Sequence, residues 1–82
     1  MYKTYIKLAS ADNIKDFVSG VKNFELDIDL RTGAQTVDGK SYLGICTLDL
    51  NRPIEVNIIS KKDDDLTRFI KFITEKSYLF LD

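Results

Sequence analysis

The clearest strand pattern in the chain lies at residues 24–37, which read Phe24-Glu25-Leu26-Asp27-Ile28-Asp29-Leu30-Arg31-Thr32-Gly33-Ala34-Gln35-Thr36-Val37. Apolar and acidic side chains alternate over residues 24–30, which is typical of a strand with one buried and one solvated face. Residues 31–34 then suit a turn, and residues 35–37 suit a short second strand. The stretch therefore predicts a β-hairpin with one apolar face that other elements must cover.

Two further segments of the chain have the same strand pattern. Residues 2–8 alternate as a first strand, and residues 54–58 alternate again as a fourth. Together with the helical segments, the order becomes strand, helix, strand, strand, short helix, strand, helix. This order predicts an α+β two-layer sandwich, in which helices cover one face of an antiparallel sheet.

Helical spacing of apolar residues predicts the positions of the helices. Candidate N-caps at 10–13 open the first helix, in which Gly20 is expected to allow close packing against a strand. A serine-capped helical turn begins at Ser41 and is expected to end near residues 51–53, before the proline. The last helix opens at 61–65, with acids where its N-terminus favours them. The predicted buried stripes are Ile14, Phe17, Val18 and Val21 in the first helix, and Leu66, Phe69, Ile70 and Ile73 in the last.

Length and charge limit the class of protein. A chain of 82 residues predicts a single domain over residues 1–82, with one modest core. Its formal net charge is −1, and its basic residues are interleaved with acids rather than collected in a stripe. We therefore expect neither nucleic acid nor an anionic membrane as a partner.

The residue types needed for most catalytic chemistry are scarce in this chain. Cys46 is the only cysteine and there is no histidine. These counts argue against a disulfide framework and a thiolate zinc site, and Cys46 has no histidine to act as its base. We accordingly expect no enzymatic activity, no metal and no cofactor. The first residues alternate rather than form an apolar signal core, and no apolar run is long enough for a membrane span, so we expect a reduced cytoplasmic protein.

Three segments give the chain a resemblance to a known family. Residues 27–30, 39–48 and 54–58 resemble HPr, the histidine-containing phosphocarrier proteins of the bacterial sugar phosphotransferase system. The most specific part is the pattern Lys-Ser-x-x-Gly-x-x-x-Leu from Lys40 to Leu48. The resemblance covers nearly the whole chain in element order. It implies an open-faced sandwich of a four-stranded antiparallel sheet with three helices on one side.

The chain departs from that family where the carrier chemistry resides. The family's active loop, Gly-[Ile/Leu]-His-Ala-Arg-Pro, lies between the first strand and the first helix, where this chain has only residues 10–13. The phosphoacceptor histidine, the arginine and the proline have no counterpart here. Because a phosphocarrier needs a nucleophilic imidazole at a helix N-terminus, we expect no phosphocarrier activity. The alternative is a divergent carrier with another acceptor, such as Asp12 or Asp16.

Ser41 falls where low-G+C Gram-positive members of the family have their regulatory serine. In those proteins an ATP-dependent kinase phosphorylates the serine, and the product binds a transcriptional regulator. The resemblance thus implies a regulatory, protein-binding role, with Tyr42, Leu43 and Cys46 as an apolar docking patch and Lys40 beside the phosphate. Two other readings stay open: Ser41 serves only as a helix cap while the apolar residues pack, or the domain is a non-catalytic structural remnant.

The C-terminal segment, residues 77–82, is unusually apolar for a chain end. Phe72 also lies off the predicted stripe of the last helix. We expect this segment to pack on its own domain, and the alternative is a contact surface in a homodimer. The expected oligomeric state is therefore a monomer or a weak homodimer.

Overall fold

The computed structural model describes residues 2–60, 63–76 and 78. These residues form, in chain order, β1 (Tyr2–Ile6), α1 (Ala11–Val21), β2 (Leu26–Thr32), β3 (Gln35–Asp38), α2 (Tyr42–Cys46), β4 (Ile54–Ser60) and α3 (Asp63–Glu75). The strands make one antiparallel sheet in the order β1-β4-β2-β3. The predicted fold class and element order are confirmed.

The two central strands bury the apolar face that the alternation predicts. Ile28 pairs with Ile58, and Leu30 pairs with Val56. All four side chains are at most 3% exposed. The intervening side chains, such as Asp29, point to the other face and are exposed. The sheet therefore has one face against the helices and one face toward solvent.

Several boundaries differ from those predicted by the sequence. β2 starts at Leu26 rather than at residue 24 and runs on to Thr32. α2 ends at Cys46, well before residues 51–53. It ends early because the amides of Thr47 and Leu48 donate to carbonyls three residues back, at 3.1 and 3.0 Å, which tightens the last turn. Residues 61–62, predicted to open the last helix, lie outside the described residues.

The first helix has the predicted cap and buried stripe. Ser10 is in an extended conformation, and its hydroxyl accepts a hydrogen bond from the Asn13 amide at 3.2 Å. The four predicted apolar side chains of this stripe are all buried, at 5% exposure or less. This helix therefore lies on the sheet in the orientation that its sequence predicts.

The buried face of α3 is rotated from the predicted one. Phe69 and Ile73 are fully buried, but Leu66 and Ile70 are only half-buried. Leu66 still packs against the core, as predicted, and so does Phe72, which the helical pattern left outside the stripe. Its ring lies 6.4 Å from that of Phe17 and 6.3 Å from that of Phe69, centroid to centroid. Aromatic packing between helices, which one helix's own periodicity does not encode, decides this orientation.

Gly20 packs against this aromatic cluster and not against a strand, so that expectation is wrong. A Cβ at position 20 would overlap the ring of Phe72. Gly20 is thus the point at which α3 places an aromatic ring directly on the backbone of α1. The absence of a side chain is what permits the contact.

Tyr78 confirms, for its own position, that the chain beyond α3 packs on its domain. The side chain is 4% exposed and makes an edge contact with Phe17, with ring centroids 6.1 Å apart. Its carbonyl accepts from the Lys7 amide at 2.8 Å, which ties this segment to the end of β1. The other residues of the apolar C-terminal segment lie outside the described part of the chain.

None of the helices formed by the described residues combines the length and the apolar character that a membrane span requires.

The contact between Gly20 and Phe72 predicts an unusual effect of alanine in a helix. We expect Gly20→Ala to lower the free energy of unfolding by about 1–3 kcal/mol, because the added methyl displaces the Phe72 ring. Alanine's helix preference of about 1 kcal/mol offsets only part of this loss. Urea denaturation measures the change.

The matched controls for this prediction are Ser19→Ala, at an exposed position of the same helix, and Gly20→Ala combined with Phe72→Leu. Ser19→Ala is expected to be close to neutral. In the Phe72→Leu background, Gly20→Ala is expected to be neutral or stabilising, because the smaller side chain leaves room. An equal loss in both backgrounds would contradict the assigned contact.

Candidate functional site

The candidate site is centred on Ser41, at the start of α2. Ser41 has extended backbone angles, φ −103° and ψ 107°, and its hydroxyl accepts from the Gly44 amide at 3.1 Å. Its carbonyl accepts from the Ile45 amide at 3.0 Å, and its own amide donates to the Asp38 carbonyl at 3.0 Å. Ser41 is therefore the N-cap of α2, and its side chain is half-buried.

Gly44 makes this tight cap possible. A Cβ at position 44 would lie 3.1 Å from the Ser41 hydroxyl oxygen and 3.2 Å from the Cβ of Val37 on β3. Both separations are shorter than ordinary van der Waals contact, so a side chain here would push α2 away from β3. The role of this glycine was not predicted, although the spacing Lys-Ser-x-x-Gly contained the signal.

The residues of α2 differ in how much of each side chain the solvent reaches. Ile45 is fully buried and fixes the helix to the core, whereas Leu43 is 78% exposed. Cys46 is an exposed free thiol. Tyr42 is half-buried and packs against the core cluster. Of the three residues predicted to form an apolar docking patch, two are thus at the surface and one is partly covered.

Tyr42 connects the start of α2 with the start of α1. The side-chain hydrogen bond with Cys46, partial desolvation and the nearby charge of Asp12 together raise the pKa of the Tyr42 phenol. Asp12 lies in the first turn of α1. The beginnings of the two helices therefore share one surface of the domain, and Tyr42 stays neutral there at physiological pH.

Lys40 precedes the cap but turns away from it. Its backbone amide donates to the Asp38 carboxylate at 2.9 Å, and its ammonium lies 3.4 Å from the Phe24 carbonyl oxygen. The same side chain lines a shallow pocket with Asp27 and Ile59, at the end of the sheet where β2 begins and β4 ends. In this conformation Lys40 stabilises the approach to α2, and its charge does not lie against the Ser41 hydroxyl.

The two residues predicted as alternative phosphate acceptors lie in the first half of α1, and Asp12 alone is in its first turn. Asp12 and Asp16 are both exposed. The serine hydroxyl at position 10 caps this helix, where a phosphocarrier would place an imidazole. Within the described residues, no three acidic, cysteine or histidine side chains come close enough together to hold a metal ion.

Comparison with known proteins identifies the fold. The structure is similar to the crystal structure of HPr-C-His from Thermoanaerobacter tengcongensis, with a TM-score of 0.73 over 93% of each chain and 17% sequence identity. No protein-family model matches the chain, and no curated protein matches it in sequence. The fold is therefore HPr-like, which agrees with the resemblance seen in the sequence.

The cap geometry predicts a moderate stability effect at Ser41. We expect Ser41→Ala to lower the free energy of unfolding by about 1 kcal/mol, because the Gly44 amide loses its acceptor. Ser41→Asn, which keeps a side-chain acceptor, is expected to retain most of the stability. Urea denaturation of the three proteins tests this, with Ser19→Ala as a control for loss of an exposed hydroxyl. A loss no larger than in that control would contradict the capping role.

Proposed function

We propose that this protein is an HPr-like protein-binding domain without phosphocarrier activity, acting in or near the sugar phosphotransferase system and controlled by phosphorylation of Ser41. The observation that supports it best is that Ser41 caps a short helix whose second residue, Leu43, has a 78% exposed side chain, while the buried Ile45 anchors the helix. A modifiable hydroxyl next to an exposed apolar side chain is what a phosphorylation-controlled docking surface requires.

The absence of histidine supports the non-carrier part of this proposal. The carrier reaction of the family depends on an imidazole that takes up the phosphoryl group and passes it on, and this chain has none. The corresponding helix start holds a capping serine hydroxyl, which is already hydrogen-bonded to the Asn13 amide. A neutral serine hydroxyl is a poor nucleophile toward a phosphoryl group without an adjacent base, so this hydroxyl is no simple substitute for the imidazole.

The regulatory part rests on what a phosphate would do at Ser41. The group would add a charge of about −1.5 to −2 and three acceptor oxygens at a place where one amide, that of Gly44, already donates to the serine oxygen. The phosphate would lie at the start of α2, two residues before Leu43, on the surface to which the start of α1 also contributes. A partner that recognises this surface would therefore distinguish the two forms by charge, while the fold beneath stays the same.

The first prediction of this proposal concerns the modification itself. Incubated with an HPr serine kinase and ATP, the chain is expected to gain the mass of one phosphate, mapped to Ser41 by mass spectrometry of its peptides. Ser41→Ala should gain none, and an authentic HPr substrate serves as the positive control. An unmodified chain beside a labelled control would leave Ser41 as a helix cap and favour the reading of a structural remnant.

A second prediction concerns docking through Leu43. We expect Leu43→Ser to lower kcat/KM for phosphorylation by the same kinase about tenfold, because one well-placed apolar contact accounts for roughly that much binding. Stability should hardly change, because the side chain is 78% exposed.

Ile59→Ser is the matched control for this prediction. Ile59 is also an exposed apolar residue, at 51%, but it lies on the open face of the sheet. Its substitution is expected to leave the kinase parameters unchanged. Equal losses in the two variants would overturn the assignment of α2 as the docking surface.

A further inference from the structure

A pocket of about 310 Å³ lies at the end of the sheet where the β2–β3 hairpin meets the start of β4. Its lining includes Tyr5, Arg31, Gly33, Arg52 and Glu55. The volume is at the lower end of the range for small-ligand sites, so it has room for a small molecule and not only for a bare ion. Its residues come from β1, from β2 and the hairpin turn that follows it, from the loop after α2 and from β4.

Strand register places this set of side chains on the open face of the sheet. Glu55 on β4 pairs with Tyr5 on β1 and with Arg31 on β2, so the three side chains lie in one row across the sheet. Arg52 precedes β4 in the chain and approaches the same end of the row from the loop. The geometry thus brings two guanidinium groups together from segments that are far apart in sequence.

The two arginines leave most of their donors available. Arg31 uses its Nε to donate to the Gly33 carbonyl at 2.9 Å, which aligns the guanidinium along the hairpin turn. The Arg52 guanidinium lies near the same turn, with Nη1 3.7 Å from where a Cβ of Gly33 would be. Among the described residues no side chain or carbonyl accepts a hydrogen bond from it. Unpaired, convergent arginine donors are the usual means of binding an oxyanion.

The carboxylate in the pocket takes its hydrogen bond and its close ion pair from residues other than the two arginines. Glu55 accepts from the Asn57 side-chain amide at 2.8 Å and lies 3.7 Å from the Lys3 ammonium. Those contacts, together with the charge of Arg31, lower the pKa of Glu55. Two guanidinium groups and one carboxylate therefore line the pocket, which gives it a net positive charge in a protein whose net charge is −1.

We propose that this pocket binds the phosphate group of a small phosphorylated molecule, held between Arg31 and Arg52 at the hairpin turn. Arginine forms bidentate hydrogen bonds with phosphate oxygens. The two negative charges of a phosphate dianion also match two guanidinium groups better than the one charge of a carboxylate does. The ring of Tyr5, which is 44% exposed, forms a wall for the organic part of the ligand. The site shares no residue with the Ser41 surface, so it stands independently of the proposed function.

Titration of the ¹⁵N-labelled chain followed by NMR tests the proposal. The probes are inorganic phosphate and glycerol phosphate, with acetate and glycerol as controls, all at one ionic strength set with sodium chloride. Saturable shifts of the Gly33 and Arg52 amides are expected with both phosphate probes and with neither control. Stronger binding of glycerol phosphate would identify a phosphate monoester as the ligand, and stronger binding of inorganic phosphate would identify the free ion.

Variants separate a specific site from general attraction of anions. Arg52→Gln is expected to weaken phosphate binding about tenfold or more, which is the loss of one charge-assisted contact. Arg31→Lys keeps the positive charge but loses the planar guanidinium group with its two parallel donors, so it should weaken phosphate binding as well. Lys71→Gln removes the same charge from α3 and should leave binding unchanged, because Lys71 lines a different pocket near Phe24.

Two outcomes would overturn the proposal. One is the absence of saturable, localised shifts with either phosphate probe in the folded chain. The other is an equal weakening in Arg52→Gln and Lys71→Gln, or equal shifts with acetate, which would mean that any anion responds to net charge. The amide spectra of the variants report at the same time whether each remains folded.

Discussion

The antiparallel pairing of β2 with β4 is the interaction on which the rest of the molecule depends. These strands occupy the centre of the sheet, and their inward side chains, from Ile28 and Leu30 to Val56 and Ile58, form the floor of the core. A one-residue slip in this register would move every one of those side chains to the solvated face. Because only one face is apolar, the helices have only one place to pack, and the other face stays open to solvent.

The three helices contribute unequally to packing on the apolar face of the sheet. α1 and α3 meet through aromatic side chains, with Phe17, Phe69 and Phe72 mutually in contact and Gly20 making room for the closest ring. α2 is only five residues long and is fixed by one buried side chain, Ile45, and by its serine cap. The long helices stabilise the fold, and the short one presents side chains to the surface. An element with so few core contacts can change its outer residues at little cost to stability.

The sequence predicted the sheet well because period-two alternation is a local signal. It indicated the hairpin, the element order and the buried stripe of α1, and the structure confirms them. It misplaced the partner of Gly20 and the buried face of α3, since both depend on where Phe72 meets another helix. It overestimated the length of α2, because the end of that helix is set by carbonyl pairing at Thr47 and not by the later proline.

The candidate sites were predictable to different degrees for the same reason. Ser41 and Leu43 are close in sequence, so their pattern could be read directly. The approach of Arg52 to Arg31 depends on the loop after α2 returning to the hairpin, where the Asp49 amide donates to the buried Thr32 hydroxyl at 3.2 Å. No local pattern encodes that return.

The serine cap constrains how a phosphate at position 41 could act. Its oxygen already accepts from the Gly44 amide, so the short helix is formed before any modification. A five-residue helix has only a small dipole and few unpaired amides, and the additional stabilisation that a phosphate could obtain from it is limited. Modification would therefore alter the surface far more than the fold.

The added charge of about −1.5 to −2 would exceed in magnitude the net charge of the whole chain, −1, and would be concentrated in the same helical turn as one exposed leucine. A partner that binds the modified form must consequently pair a basic group with an apolar contact within one helical turn, and this requirement is more restrictive than either feature alone.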